Sequence, residues 1–398
     1  MEQQKYIKHK ILDGVSFIST VFNEEKSILN FLKSFFEQSY LPKEIIIVDG
    51  GSTDNTVNEI IYFFEGIIKV SPNNEDLFSK KLLVNTSHHS YPDSKTSLIG
   101  LYSIKVNSEI SHRSIDSDSN NFNNNIFGNI LVKLFKSEGA KISKGRNIAI
   151  MNTSNEIICV SDAGCIFDKN WIYEISKYYF LDYDHIDVVG GFSKPIAIGF
   201  LEKLLSMCIM PEVKEIKEEK FMPSSRNISF KKKAWQRVKG YPENMDYGED
   251  MKFNFNLKLH GFKIKFNPDA IVYWRMRENL VQIFKQFFRY AKGDAIGEMY
   301  FYRHLIRFAS FFISIVILLS AIFFNAWLSL LYVPLLVGYI YKPILRLKSN
   351  WDHIKSPVKR VSFKILSVIL CPFLLLYIDV AKVSGYLYGM VRKRKTIF

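Results

Sequence analysis

Three long apolar runs lie close together near the C-terminal end of this sequence, and no other feature limits its folding as strongly. Residues 306–324 are about one membrane thickness long at the helical rise. Residues 326–341 form a second, slightly shorter run, and Asn325 marks the expected turn between the two. Residues 365–380 form a third, broken by Pro372 and ended by Asp379. A buried helical core would also accommodate such runs, but a soluble chain rarely stacks three in succession. The sequence therefore predicts a helical membrane region over residues 301–398 that follows a mixed domain over residues 1–300.

Charge gives the orientation. Lys342, Arg346, Lys348, Lys355, Lys359, Arg360 and Lys364 fall in a predicted loop between the second and third runs, and cytoplasmic loops carry such an excess of Lys and Arg. The first two runs then form a hairpin. The tail Arg392-Lys393-Arg394-Lys395 calls for the same side, which three full crossings would not allow; either the third run is re-entrant or interfacial, the favoured expectation, or the tail breaks the rule, which gives two or three membrane helices. Met1 to Lys10 is polar and charged with no apolar signal segment, which puts the start of the first domain in the cytoplasm. The expectation is a multi-pass protein of the cell (inner) membrane with its large domain cytoplasmic. A net charge of +14 suits an anionic partner. The basic residues cluster beside the apolar runs rather than along an aromatic groove, so membrane lipids account for the excess and nucleic acid is not expected. Cys159, Cys165, Cys208 and Cys371 form no CxxC pair, so neither a zinc site nor a disulfide framework is indicated and buried thiols are expected.

The first 300 residues alternate strands with helices. Residues 15–20 (VSFIST) are β-rich and end in Phe22-Asn23-Glu24-Glu25, and a helical stripe of Ile28, Leu29, Leu32, Phe35 and Phe36 follows. Residues 44–48 (EIIIV) suit a strand buried on both faces and run into Asp49-Gly50-Gly51-Ser52-Thr53-Asp54 before a second helix. Further strands are expected at 156–160, 188–191 and 268–274, with a helix over 198–219. Residues 71–129 are less regular, and the Asn/Ser-rich stretch within about 108–128 reads as a flexible insertion. This pattern gives an α/β domain around a mostly parallel, Rossmann-like sheet. Ligands in such sheets bind beyond the carboxyl ends of the strands, where both the 22–25 and 49–54 clusters fall.

Four clusters have the composition that chemistry needs. Asp49 beside Gly50 and Gly51 suits a ribose or base edge, or equally an ordinary turn with Asp54 capping the next helix. Asp162, in Ser161-Asp162-Ala163-Gly164-Cys165, suits a divalent ion held against a diphosphate, or a turn. Glu249 and Asp250 after Gly248 suit a general base, or a helix N-terminus. Gln286, Arg289 and Tyr290 share one helix face; the guanidinium suits a diphosphate, and the same helix would also serve as a basic–aromatic interfacial anchor.

Taken together and in order, these clusters resemble family-2 inverting glycosyltransferases of the GT-A fold. VSFISTVFNEEKSILNFLKSFFEQSYLPKEIIIVDGGSTDNT resembles the family's opening strand, helix and nucleotide-binding strand. KGRNIAIMNTSNEIICVSDAGCIFDKNWI resembles the segment carrying its DxD motif, in an SDAGC form. The stretch from SSRNISF to GEDMKF resembles its acceptor and catalytic-base region, and QFFRY a relaxed QxxRW motif. The resemblance implies donor contacts from Glu24, Asp49, Arg146, Asn147, Asp162, Gln286, Arg289 and Tyr290, and acceptor contacts from Arg226 and Asn227. It implies Asp250, next to Glu249, as the catalytic base and Asp162 as the ligand of Mg²⁺ or Mn²⁺. The second acid of DxD is Gly164 here, one acid of VDDGS is replaced by Gly50, and Tyr290 stands for Trp.

The expected activity is inverting transfer of a sugar from a nucleotide-diphosphate sugar to a glycan or a polyprenyl- or lipid-linked acceptor at the cytoplasmic membrane face. With so few membrane runs, single or limited additions are expected rather than processive synthesis. The alternative is a non-catalytic membrane scaffold that keeps the fold, a reading prompted by the missing DxD acid.

Overall fold

The structure, a computed structural model, describes residues 10–69, 77–81, 95–108, 126–181, 185–350 and 357–397. The elements in chain order are β1 (Lys10–Val21), α1 (Ile28–Phe36), β2 (Tyr40–Asp49), α2 (Thr56–Lys69), β3 (Leu77–Lys81), β4 (Thr96–Ser108), β5 (Ile126–Ser137), α3 (Ile142–Met151), β6 (Ile157–Val160), β7 (Cys165–Phe167) and α4 (Trp171–Ser176). They continue with β8 (Val188–Ile196), α5 (Phe200–Ile209), β9 (Ile228–Lys231), α6 (Lys232–Arg237), α7 (Glu249–Leu259), β10 (Ile264–Arg275), α8 (Leu280–Ile296), α9 (Phe301–Phe323), α10 (Tyr332–Asn350) and α11 (Pro357–Ile397). These residues group into two compact units. The first contains Met1–Lys194, Glu218–Asn244 and Phe253–Trp274; the second contains Pro195–Lys217, Met245–Lys252 and Arg275–Phe398.

The first unit is built on a mixed sheet in the order β3-β4-β5-β2-β1-β6-β9-β8-β10-β7. Its centre is parallel: β2 lies between β5 and β1, and β1 pairs with β6. Its flanks are antiparallel. Strands buried on both faces carry continuous apolar runs, and Ile45, Ile46, Ile47 and Val48 alternate between two cores. One gathers Phe17, Phe31, Phe35, Phe167 and Trp171; the other gathers Ile46, Ile158, Phe230, Tyr241 and Phe253. The α/β expectation holds, with the parallel strands confined to the centre of a mixed sheet, and so does the helical, apolar C-terminal region.

The irregular reading of residues 71–129 needs correcting, because β4 and β5 form a long antiparallel pair there. Strand β4 carries Leu98, Ile99, Leu101, Tyr102, Ile104 and Val106, so an apolar signal is present in the sequence; the register shift between Leu98 and Gly100 breaks its alternation. The Asn/Ser-rich residues 111–125 lie outside the described residues. The helix expected over 198–219 stops at Ile209, followed by short 3₁₀ turns. Pro211 explains the stop: it drives the preceding residue out of the helical region, and Met210 is extended at ψ 119.

In the second unit, Phe301–Phe323, Ala326–Arg346 and Val361–Lys393 are long and apolar enough to cross a membrane. Asn325 sits at the expected turn and accepts the Trp327 N–H at 3.0 Å. Two expectations fail locally. The basic stretch from 342 to 364 is helical over most of its length, and α11 continues through Pro372 rather than breaking. Proline inside an apolar helix is tolerated when surrounding helices and local adjustment satisfy the freed carbonyl.

Candidate active site

Two loops at the carboxyl ends of β1 and β2 are bonded to each other in the first unit. Asn23, in the left-handed region at φ 54, accepts the Thr53 N–H at 2.9 Å and donates its own N–H to Ser52 Oγ at 2.9 Å. The Glu24 N–H reaches Thr56 Oγ1 at 2.7 Å. Asn and Asp tolerate the left-handed conformation better than other side chains, which is why this turn can be so tight. Gly50 carries no Cβ because one would lie 2.6 Å from the Ala140 carbonyl oxygen. That close approach brings the β2 turn against the start of α3.

Above these turns is a cleft of about 220 Å³, lined by residues including Thr20, Phe22, Glu24, Gly50, Lys141 and Asp162. It lies at the carboxyl ends of the parallel strands, where open α/β sheets bind ligands. Glu24 and Asp162 thus share a cleft. Asp49 is fully buried behind Gly50 and accepts the N–H groups of Gly51 at 2.9 Å and Ser52 at 3.0 Å. Its carboxylate shapes the turn.

Arg146 is buried, donates to Asp162 Oδ1 at 2.7 Å and lies over the Tyr241 ring at 5.2 Å. It fixes the Asp162 carboxylate. Asn147 accepts from Trp235 Nε1 at 3.0 Å and Tyr241 N at 2.9 Å, and donates to the Tyr241 carbonyl at 2.9 Å and Glu243 at 2.8 Å. An amide side chain has two donor and two acceptor positions, so all four are used inside the protein. Asn227 is similarly engaged by Trp171, Phe192 and Ala270. Arg226 stacks on Trp274 at 4.0 Å, and its carbonyl accepts from Ser161 Oγ at 2.7 Å. Cys165 is buried, and burial pushes its thiol up to about 12, so at neutral pH it is not a nucleophile.

The remaining candidates belong to the second unit. Gly248 has φ +74, a left-handed turn that aims the next two residues into the start of α7. Glu249 is buried, whereas Asp250 is half-buried and accepts the Met251 N–H at 2.8 Å. Of the two acids, Asp250 is the accessible one. On α8, Gln286 donates to the Tyr290 hydroxyl at 3.1 Å and accepts from Arg277 at 3.1 Å. Arg289 is exposed and its guanidinium lies 5.2 Å over the Tyr247 ring. The Tyr300 hydroxyl contacts Met251 Sδ at 3.6 Å; burial pushes this phenol up, outweighing Arg303, and Asp294 and Asp250 add to the rise.

Sequence patterns did not single out Thr20, Lys141, Tyr247 or Tyr300. Thr20 was within reach, since it closes the β-rich run 15–20. Tyr247 and Tyr300 carry no local signal, because their roles come from packing. No group of three or more metal-ligating side chains occurs among the described residues.

This sheet, with a cleft at the ends of its parallel strands and an apolar helical region after it, is the GT-A type of α/β architecture that the motifs imply. Residues 16–79 match the family "Glycosyl transferase family 2", and residues 178–342 match "Glycosyl transferase family group 2". Poly-beta-1,6-N-acetyl-D-glucosamine synthase of Staphylococcus aureus (strain COL) is 24% identical over 293 residues, 71% of this chain and 55% of that protein. The chain thus spans about half the length of this relative. The protein of the same name from Staphylococcus epidermidis is 41% identical over 58 residues, 15% of this chain and 14% of that protein. Among solved structures, the mannosyltransferase PcManGT from Pyrobaculum calidifontis, in complex with GDP-Man and Mn²⁺, aligns over 96% of this chain and 87% of its own, with TM-score 0.48 and 14% identity. S. aureus TarS 1-349 in complex with UDP-GlcNAc covers 96% and 92%, with TM-score 0.39 and 16% identity. The chain thus resembles family-2 glycosyltransferases over these two stretches.

Proposed function

We propose that this enzyme transfers a sugar from a nucleoside-diphosphate sugar to a glycan or lipid-linked acceptor at the cytoplasmic face of the cell membrane, with inversion in a single displacement. Residues 1–300 would form the transferase domain and residues 301–398 the membrane region. The observation that carries the reading is the cleft lined by Glu24, Gly50 and Asp162, in a chain matched to family-2 sequences on both sides of it. The N-acetylglucosamine polymer in the relatives' names makes that sugar the first donor to test.

A pocket with two carboxylates repels a diphosphate unless positive charge intervenes. Lys141 supplies some of it. Magnesium sites typically use one or two carboxylates completed by substrate phosphates, so one Asp in place of the DxD pair fits Mg²⁺ or Mn²⁺. Asp162 would hold the ion, its Oδ1 already steadied by Arg146; when bound, the ion neutralises charge on the leaving diphosphate. Gln286, Arg289 and Tyr290 are proposed to contact the donor, and Arg226 on Trp274 to face the acceptor. Asp250 takes the proton as the acceptor hydroxyl attacks the anomeric carbon. The new carbon–oxygen bond forms while the bond to the diphosphate breaks.

Full-length enzyme in native membranes, supplied with labelled UDP-N-acetylglucosamine or GDP-mannose and Mg²⁺ or Mn²⁺, should label a glycan or lipid fraction. Asp250→Asn should cut transfer by about 10²–10⁴-fold, the usual contribution of general base catalysis, while nucleotide binding by titration calorimetry is kept. Near-normal turnover by this variant would reject the base. Absence of both transfer and nucleotide binding in the wild type would favour the scaffold reading.

A further inference from the structure

The turn that carries Asp250 rests on α8, and α8 rests on α11, at unusually close range. Gly293 of α8 faces the backbone of that turn: a Cβ there would lie 2.3 Å from the Tyr247 carbonyl oxygen. The Tyr247 ring sits under two cations of α8, Arg289 at 5.2 Å and Lys292 at 5.7 Å. Lys252, on the far side of Asp250, donates to the Gly297 carbonyl at 3.0 Å. On its other side α8 meets α11 backbone to backbone. A Cβ at Gly385 would lie 2.2 Å from the Phe288 carbonyl oxygen, and one at Gly389 2.7 Å from that of Lys292. Lys292 therefore stands in both contacts, its backbone on α11 and its ammonium over Tyr247. Phe288 pairs with Tyr388, Phe284 pairs with Tyr377, and the Tyr377 hydroxyl donates to the Leu280 carbonyl at 3.1 Å.

We infer that the membrane helix α11 sets the position of Asp250, acting through α8, and that Gly385, Gly389 and Tyr247 are positioning residues for the transfer reaction. The inference rests on Asp250 being the base. Its physical basis is stiffness: contacts between backbones cannot be absorbed by rotating a side chain, so a displacement of α11 is passed on. A methyl group at Gly385 would need about 1 Å more separation to reach an ordinary carbon–oxygen contact. A displacement of that size at a reacting group costs on the order of 10²-fold in rate.

The test uses the full chain in detergent or nanodiscs and compares wild type with Gly385→Ala, Tyr247→Ala, Tyr247→Phe and Gly338→Ala. Gly338 lies in α10, where a Cβ would meet nothing within 4 Å, so it controls for glycine loss in an apolar helix. Hydrogen exchange should rise in the peptide covering 245–252 in Gly385→Ala and Tyr247→Ala, while β1, β2 and β6 keep their protection. Tyr247→Phe and Gly338→Ala should match wild type. With UDP-N-acetylglucosamine as donor, the first two variants should lose about 10–10²-fold in kcat with KM within about twofold. Unchanged exchange at 245–252 in Gly385→Ala would overturn the inference. If that variant also loses sheet protection, Tyr247→Ala decides in its place, and unchanged exchange there has the same consequence. The exchange result stands whether or not Asp250 proves to be the base, so a failure of the coupling and a failure of the base assignment are separately visible.

Discussion

Acidic residues on one strand can both serve the fold, as Glu44 and Asp49 on β2 do. Glu44 is buried and accepts from Ser16 at 2.6 Å, Lys133 at 2.7 Å and the Ser154 N–H at 2.8 Å. Burial by itself would raise its carboxyl, but these partners outweigh it and hold the group below its usual range. A depressed carboxyl contributes stability above its unfolded pKa and loses it as pH falls through the folded value. Glu44→Gln should therefore cost about 2 kcal/mol at pH 7. The gap from wild type should narrow as pH falls below about 4.3, the ordinary carboxyl range, in chemical denaturation at pH 7 and pH 3.5. A gap independent of pH would show that the carboxylate charge is not what matters. Asp49, five residues on, looks in sequence like a ligand and in the structure holds its own turn. Asn147 and Asn227 follow the same pattern: polar residues beside a motif are visible in sequence, but whether protein atoms already fill their bonding positions is not.

Among elements, the turn after β6 departs from the pattern of the family it resembles. Gly164 stands where a second acid is expected, and a Cβ there would meet nothing within 4 Å. Its backbone is not in the left-handed region, so an L side chain fits without strain. Gly164→Asp should fold normally and should lower the Mn²⁺ concentration giving half-maximal transfer, on the order of tenfold, because ion affinity follows the count of charged ligands. An unchanged Mn²⁺ dependence would place the cation elsewhere. Strand and helix identities were largely legible in the sequence where the hydrophobic period was strong, as in β1, β2, α1 and the apolar helices. They failed where another force decided. The alternation of strand β4 is broken at Gly100, α5 stops at Pro211, and α11 carries Pro372 through its interior. Arg346, one of the basic residues used to orient the membrane region, is bonded to Glu215 at 2.7 Å and to the carbonyl of Cys208 at 3.2 Å. Its charge serves helix packing as well.

For the molecule as a whole, the second unit presents apolar side chains along α9 and α10 that are exposed in this chain, including Phe312, Ile313, Ile322, Phe323, Val333 and Val337. A continuous apolar surface of this kind does not remain in water. The protein should stay with the membrane pellet after alkaline carbonate washing and should need detergent for release; release by high salt alone would mean that basic charge, not the apolar helices, holds it there. Polar groups between these helices are paired: Asp379 takes Arg307 at 2.8 Å and the Tyr339 hydroxyl at 2.6 Å, and His304 lies 2.9 Å from Asp294. Pairing is what allows charged side chains to persist in an apolar setting.

The sequence by itself determined the α/β domain, the apolar C-terminal helices and the family resemblance, because each is encoded locally, in hydrophobic period, run length and short motifs. The tertiary structure alone decided which acidic and amide side chains face open space and which are consumed by the protein. It also decided that the Asp250 turn, the QFFRY helix and the last helix stack backbone on backbone. Burial and hydrogen-bond saturation depend on neighbours far away in the chain, and no local pattern records them.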